Sequence, residues 1–109
     1  MSGDARVYGF LDTLLISRKS RYSYVCILRR FETFVHEHAP DRKIVSTKIL
    51  RAWLTQESGR RPPATMMSQM CLIAHYLEWR AAHGGGPDPF APLLAKYGRL
   101  VTPIVRALL

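Results

Sequence analysis

The chain has 109 residues, enough for one domain with one core. It is 48% apolar and 22% charged, as in ordinary soluble domains, and no apolar run of about 18 residues is present to span a membrane. Sixteen Lys and Arg against eight Asp and Glu give a net charge of +8, which excludes an acidic tail and makes a polyanion the default partner.

Hydrophobic periodicity near 3.6 dominates, and no hairpin signature occurs, so an all-α fold is expected. A first helix is expected over about Asp4–Ile16, where Val7, Phe10, Leu11 and Leu14 recur at helical spacing and Tyr8 and Leu15 widen the stripe. Asp4 suits the positive end of its dipole. After the basic turn at Ser17–Ser20, a second helix carries Tyr24, Ile27, Leu28, Phe31 and Val35, with Ser20 as its expected N-cap. Pro40 stops it near His38. A third helix opens at Ser46 or Thr47, presents Ile49, Leu50, Trp53 and Leu54, and ends before Ser58-Gly59. A fourth, from about Ala64 to His83, has two apolar stripes, Met66/Met70/Ile73/Leu77 and Leu72/Tyr76/Trp79, and so belongs in the middle of a bundle. Gly84-Gly85-Gly86 ends it. Phe90–Tyr97 suggests a short fifth helix, and the apolar tail ending at Leu109 reads as cut from a longer chain.

The residue types argue against catalysis in these residues. Carboxylates are scattered, with no pair set on one helix face in apolar surroundings. His36 and His38 are two apart and diverge on a helix, Cys26 and Cys71 lack metal-ligand spacing, and no phosphate-binding glycine loop is present. No metal or cofactor is therefore expected. Both cysteines fall in apolar stretches and read as reduced, packed thiols of a cytoplasmic protein. The N-terminus has no secretory h-region.

The cationic residues cluster. From Asp12 to Glu32 there is no acid, and five bases occur: Arg18, Lys19, Arg21, Arg29 and Arg30. Arg18, Lys19, Ser20, Arg21 and Tyr24 surround the start of the second helix, where backbone N–H groups and the dipole favour phosphate. Arg60 and Arg61 precede the fourth helix, whose first turns offer Thr65, Ser68 and Gln69, expected to point away from the Met66/Met70 stripe. Short polar side chains behind arginines suit a helix entering the major groove end-on. Both cationic helix heads are expected to face one duplex. Phe31, Phe34, Trp53 and Trp79 read as core, with no exposed aromatic platform. A basic helical module for protein interaction or oligomerisation is the alternative; an independent helix-turn-helix regulator is disfavoured by the long, proline-rich 58–64 connection.

The order of these features resembles the N-terminal core-binding domain of tyrosine recombinases, the phage-integrase-like, SAM-like domain. The resemblance rests on Val7–Leu11 before a basic turn, Tyr24-x-x-x-Leu28-x-x-Phe31-x-x-Phe34-Val35, the Ile44–Leu54 segment, and the long Ala64–Trp79 helix with Tyr76-Leu77 before a glycine turn. Pro87-Asp88-Pro89-Phe90 and Gly98–Pro103 complete it. It implies an orthogonal four-helix bundle with a short fifth C-terminal helix over residues 1–98, and a linker, 99–109, toward a catalytic domain. It also implies binding of double-stranded DNA at a recombination half-site, docking with the chain's own catalytic domain, and homo-oligomers on DNA. Lys19, Arg21 and Tyr24, with Arg61, Thr65 and Ser68, are the DNA-contacting positions carried over. The Arg, His-x-x-Arg and Tyr set of the family's catalytic domain is missing here: His75-Tyr76-Leu77-Glu78 ends in glutamate. The Arg-Pro-Pro-Ala lead into the fourth helix departs from the family's Ser/Thr-rich one.

Overall fold

A computed structural model describes residues 2–38, 45–84, 88, 89, 91 and 92. Among them are four α-helices and no strand: α1 (Ser2–Leu11), α2 (Arg18–His38), α3 (Thr47–Ser58) and α4 (Pro63–Ala82). The expected fifth helix and the 99–109 linker fall largely or wholly outside the described residues.

Local chemistry explains each boundary. α1 stops at Leu11, five residues before the end of its apolar pattern. The Asp12, Thr13 and Leu14 amides turn back onto Tyr8, Phe10 and Leu11, and the Thr13 hydroxyl donates to the Phe10 carbonyl at 2.6 Å. Leu14 and Ile16 therefore pack against the core from a turn, while Leu15 swings into solvent. α2 is capped by Ser17 rather than Ser20: the Ser17 Oγ accepts from the Ser20 amide at 3.1 Å. α3 is capped by Ser46, whose Oγ accepts from the Ile49 amide at 3.2 Å. Buried Val45 and Leu50 occupy the two positions of a hydrophobic staple around this cap. Replacing Ser46 by Ala strands that amide and is expected to cost about 1 kcal/mol, measured as a shift of the urea midpoint at unchanged slope. α4 begins with Pro63 in its first turn, where the missing amide is no loss. It ends at Ala82, and Gly84, just past the His83 cap, has a φ of 80°, the left-handed conformation that closes helices.

The long helices α2 and α4 touch, and α1 and α3 each pack against both. The core is aromatic. Phe31 and Phe34 of α2 meet the Trp53 ring edge-on, each at 5.4 Å, and Phe10 of α1 meets Tyr76 of α4, also at 5.4 Å. Each such fully buried apolar side chain contributes roughly 1.5–3 kcal/mol. Trp79 is half-buried against Gly9 of α1. A Cβ there would lie 3.1 Å from the indole, so the missing side chain at Gly9 lets the two helices approach.

Two ion-pair clusters thread this core. Glu32 of α2 accepts from the Tyr76 hydroxyl and from Arg80 Nε at 3.1 Å, and Arg80 is 3% exposed. Burial first, then the Glu32 carboxylate, pushes the Tyr76 hydroxyl far above the usual phenol range, so it stays a donor. Glu57, at the end of α3, is 3% exposed and lies between Arg61 Nε at 3.2 Å and Arg30 at 3.6 Å. Its backbone carbonyl also accepts from the Arg60 and Arg61 amides, at 3.0 and 2.9 Å. One residue thus shapes the turn into α4 and ties it to α2.

Candidate nucleic-acid interface

α2 presents one long side to solvent. Lys19, Tyr22, Ser23, Cys26, Arg29, Thr33, His36 and Glu37 follow one another along it, and Arg18 and Lys19 stand at its head. No carboxylate interrupts this side before Glu37, because Glu32 turns inward to Tyr76 and Arg80. From Lys19 to Arg30 the helix rises about 17 Å, the length of about five base-pair steps of a duplex strand.

Along its second half, α2 borders an open groove of about 600 Å³ shared with α3. Cys26, Arg29, Arg30, Thr33, Gln56 and Arg60 line it together with the acidic Glu37, over Phe34, Trp53 and the buried Glu57. The Arg30 guanidinium sits 5.9 Å above the centre of the Trp53 ring, a cation–π arrangement that holds it at the rim. Two guanidiniums meet one carboxylate at Glu57, so the cluster keeps a net positive charge.

The positions expected from sequence divide. Arg18, Lys19, Arg60, Thr65 and Ser68 are exposed. The others are engaged by neighbouring groups of the protein. Ser20 is half-buried in the cap that Ser17 forms. Arg21 binds Asp12 at 2.7 Å, closing the α1–α2 turn. Tyr24 packs against the core, and Arg61 is committed to Glu57. Gln69 does not point away from the Met66/Met70 stripe; it is buried on it, with its Oε1 lacking a hydrogen-bond partner. Arg21 and Arg30, nine residues apart, are half a turn out of phase at 3.6 residues per turn. This matches Arg21 leaning on the end of α1 and Arg30 on the end of α3. Arg21 thus leans toward the α1 end, and Arg30, with Arg61, gathers at Glu57 on the other side of α2.

Further corrections follow from the same geometry. Cys26 and Cys71 are both exposed thiols, not packed ones. Tyr8 and Leu15, expected on the apolar stripe of the first helix, are exposed, as is Tyr22. His36 and His38 are exposed at the end of α2, where the His38 ring stacks on Phe34 at 3.9 Å. Arg29, Arg30 and Arg60 form the groove, but only Arg60 was singled out with the helix heads. Their signal was available: bases at 29 and 30 follow Cys26 by three and four residues, on the side opposite Leu28 and Phe31. Among the described residues no group of three or more metal-ligating side chains occurs, and no helix is long and apolar enough to cross a membrane.

Compared with known proteins, the chain matches no family model, no curated protein and no solved structure.

Proposed function

We propose that this chain is a duplex-DNA-binding domain, and that it serves as the N-terminal core-binding domain of a site-specific tyrosine recombinase. In this reading the helices adopt the orthogonal, SAM-like arrangement. The exposed side of α2 lies along the phosphates of a recombination half-site. Arg18 and Lys19 grip one end of that stretch, and Arg29, Arg30 and Arg60 grip the other. Thr65 and Ser68, exposed on the first turns of α4, are the positions left for base contacts. Strand cleavage belongs to a separate catalytic domain of the full-length cytoplasmic protein, and copies assemble on DNA.

The observation that carries the reading is the solvent side of α2 from Arg18 to Thr33, free of carboxylates up to Glu37, cationic at Arg18 and Lys19 and again at Arg29 and Arg30, and continued by Arg60 across the α2–α3 groove. A basic residue set against a phosphate raises affinity by releasing condensed counterions. The sequence pattern from Val7 to Pro103 supports the recombinase assignment.

Charge reversal tests it. Lys19 and Arg60 are exposed and form no ion pair among the described residues. Each phosphate contact is worth roughly a factor of ten at about 0.1 M salt. The double variant Lys19→Glu/Arg60→Glu is therefore expected to bind a random 20-bp duplex about 100-fold more weakly in a fluorescence-anisotropy titration, with its helical circular dichroism unchanged. Equal affinity of the two proteins, or self-association as the only activity detected, would overturn the reading.

A further inference from the structure

Three large hydrophobic side chains stand exposed among the described residues: Leu15 at 104%, Tyr22 at 73% and Tyr8 at 43%. All three belong to α1, α2 or the turn between them. Asp12, one turn past Tyr8, binds Arg21, the neighbour of Tyr22. Leu15 is the outlier. Its neighbours Leu14 and Ile16 both pack against the core, so the turn throws out one leucine and keeps two. The exposed bases Arg18 and Lys19 follow three and four residues later, within about 10–14 Å of chain.

We propose that Leu15 is a wedge that enters the minor groove of duplex DNA and partly unstacks one base step, kinking the duplex. Arg18 and Lys19 hold the flanking phosphates, and Tyr22 lies against the sugar edge beside them. This inference rests on the DNA-binding reading above and adds to it a deformation of the ligand.

The chemistry selects this occupant. A base step accepts a single aliphatic side chain, and proteins that kink DNA insert such wedges beside cationic anchors. A lipid surface takes up a continuous apolar helix face. Here Asp12, Ser17, Ser20 and Ser23 separate the three exposed side chains, so no such face exists. A second copy of the chain needs about 1,000 Å² or more of complementary surface, which three isolated side chains do not supply. The cations around Leu15 complement a polyanion, and an unpaired cationic rim is ill suited to a like-charged copy with the same +8.

The test uses a 30-bp duplex carrying a donor and an acceptor dye at its ends, at low salt. The wild type is expected to shorten the end-to-end distance as it binds. Leu15→Ala removes a side chain with no internal contacts to lose, so it is expected to fold normally, to bind within about threefold, and to leave the duplex straight. Leu15→Met is expected to restore the bend. Binding by the wild type without bending, or an equal bend with Leu15→Ala, overturns the wedge and leaves the DNA reading standing. No binding by the wild type overturns both. Loss in Leu15→Ala of binding to vesicles containing phosphatidylserine, or of self-association in sedimentation, assigns the leucine to a lipid or to a second copy and overturns the wedge.

Discussion

Replacing Arg80 by Met is expected to destabilise the domain by about 3–5 kcal/mol. Arg80 is almost wholly inside, with its Nε on the Glu32 carboxylate, and Glu32 is itself only 10% exposed. Methionine matches the stem of the arginine and removes its charge. The carboxylate then keeps the Tyr76 hydroxyl as its donor but loses the buried guanidinium that offsets its desolvation. Small domains have a total stability of about 5–15 kcal/mol, so this single change removes a large share of it. In a domain of this size the loss corresponds to a fall in Tm of roughly 20 °C. The check is thermal unfolding by circular dichroism, with the double variant Glu32→Gln/Arg80→Met beside the single one. Removing the charge on both sides is expected to recover most of the loss, because a neutral amide still accepts from Tyr76. A drop below about 1 kcal/mol for Arg80→Met would mean that water reaches Glu32 and that the cluster is not a structural tie between α2 and α4.

The same cluster shows what a reader of the sequence can and cannot reach. The end of α2 and both ends of α3 and α4 are legible in the sequence because they are local. Pro40 lies two residues past the end of α2 at His38, Ser46 caps α3 through Ile49, and Gly84 closes α4. The all-α class followed from periodicity for the same reason. Glu32, Tyr76 and Arg80 are separated by 44 and 48 residues, and their meeting depends on how α2 crosses α4, which no local pattern encodes. A trace was still present. Arg80, Gln69 and Glu57 sit in helical register with buried apolar residues, such as Ile73 before Arg80 and Leu50 and Trp53 before Glu57. A polar residue in such a register is a buried polar residue, and it needs a partner. Without that step Gln69 and Arg61 read as DNA contacts, whereas Gln69 is buried and Arg61 serves the buried Glu57. For Arg21, charge alone does not tell that Asp12, nine residues earlier, returns to it across the α1–α2 turn. The α1 boundary failed because Leu14 and Ile16 keep helical spacing while packing from a turn. Rings along the core stripes were the easiest to place, since Phe31, Phe34 and Trp53 have no other role open to them.

Affinity for a duplex is expected to fall about 150-fold between 50 and 200 mM monovalent salt. The size follows from a count of cations that the protein itself leaves available for phosphates. Arg21 is largely cancelled by Asp12, and Arg80 by Glu32. Arg30 and Arg61 share Glu57 and together retain one net charge. Arg18, Lys19 and Arg60 are exposed along or beside the solvent side of α2. Four charges result, and at about 0.9 counterions per phosphate the log–log slope is about −3.6. The structure also says how the slope responds to mutation. Lys19→Glu or Arg60→Glu alone is expected to make it shallower by about one. Glu57→Gln leaves Arg30 and Arg61 with a neutral acceptor, so the slope is expected to steepen by about one while the protein becomes less stable. Affinity and stability thus move in opposite directions in one variant, an outcome that general loosening of the fold would not produce. A slope near zero in the wild type, with binding retained, would mean that phosphates are not what the cationic side of α2 recognises.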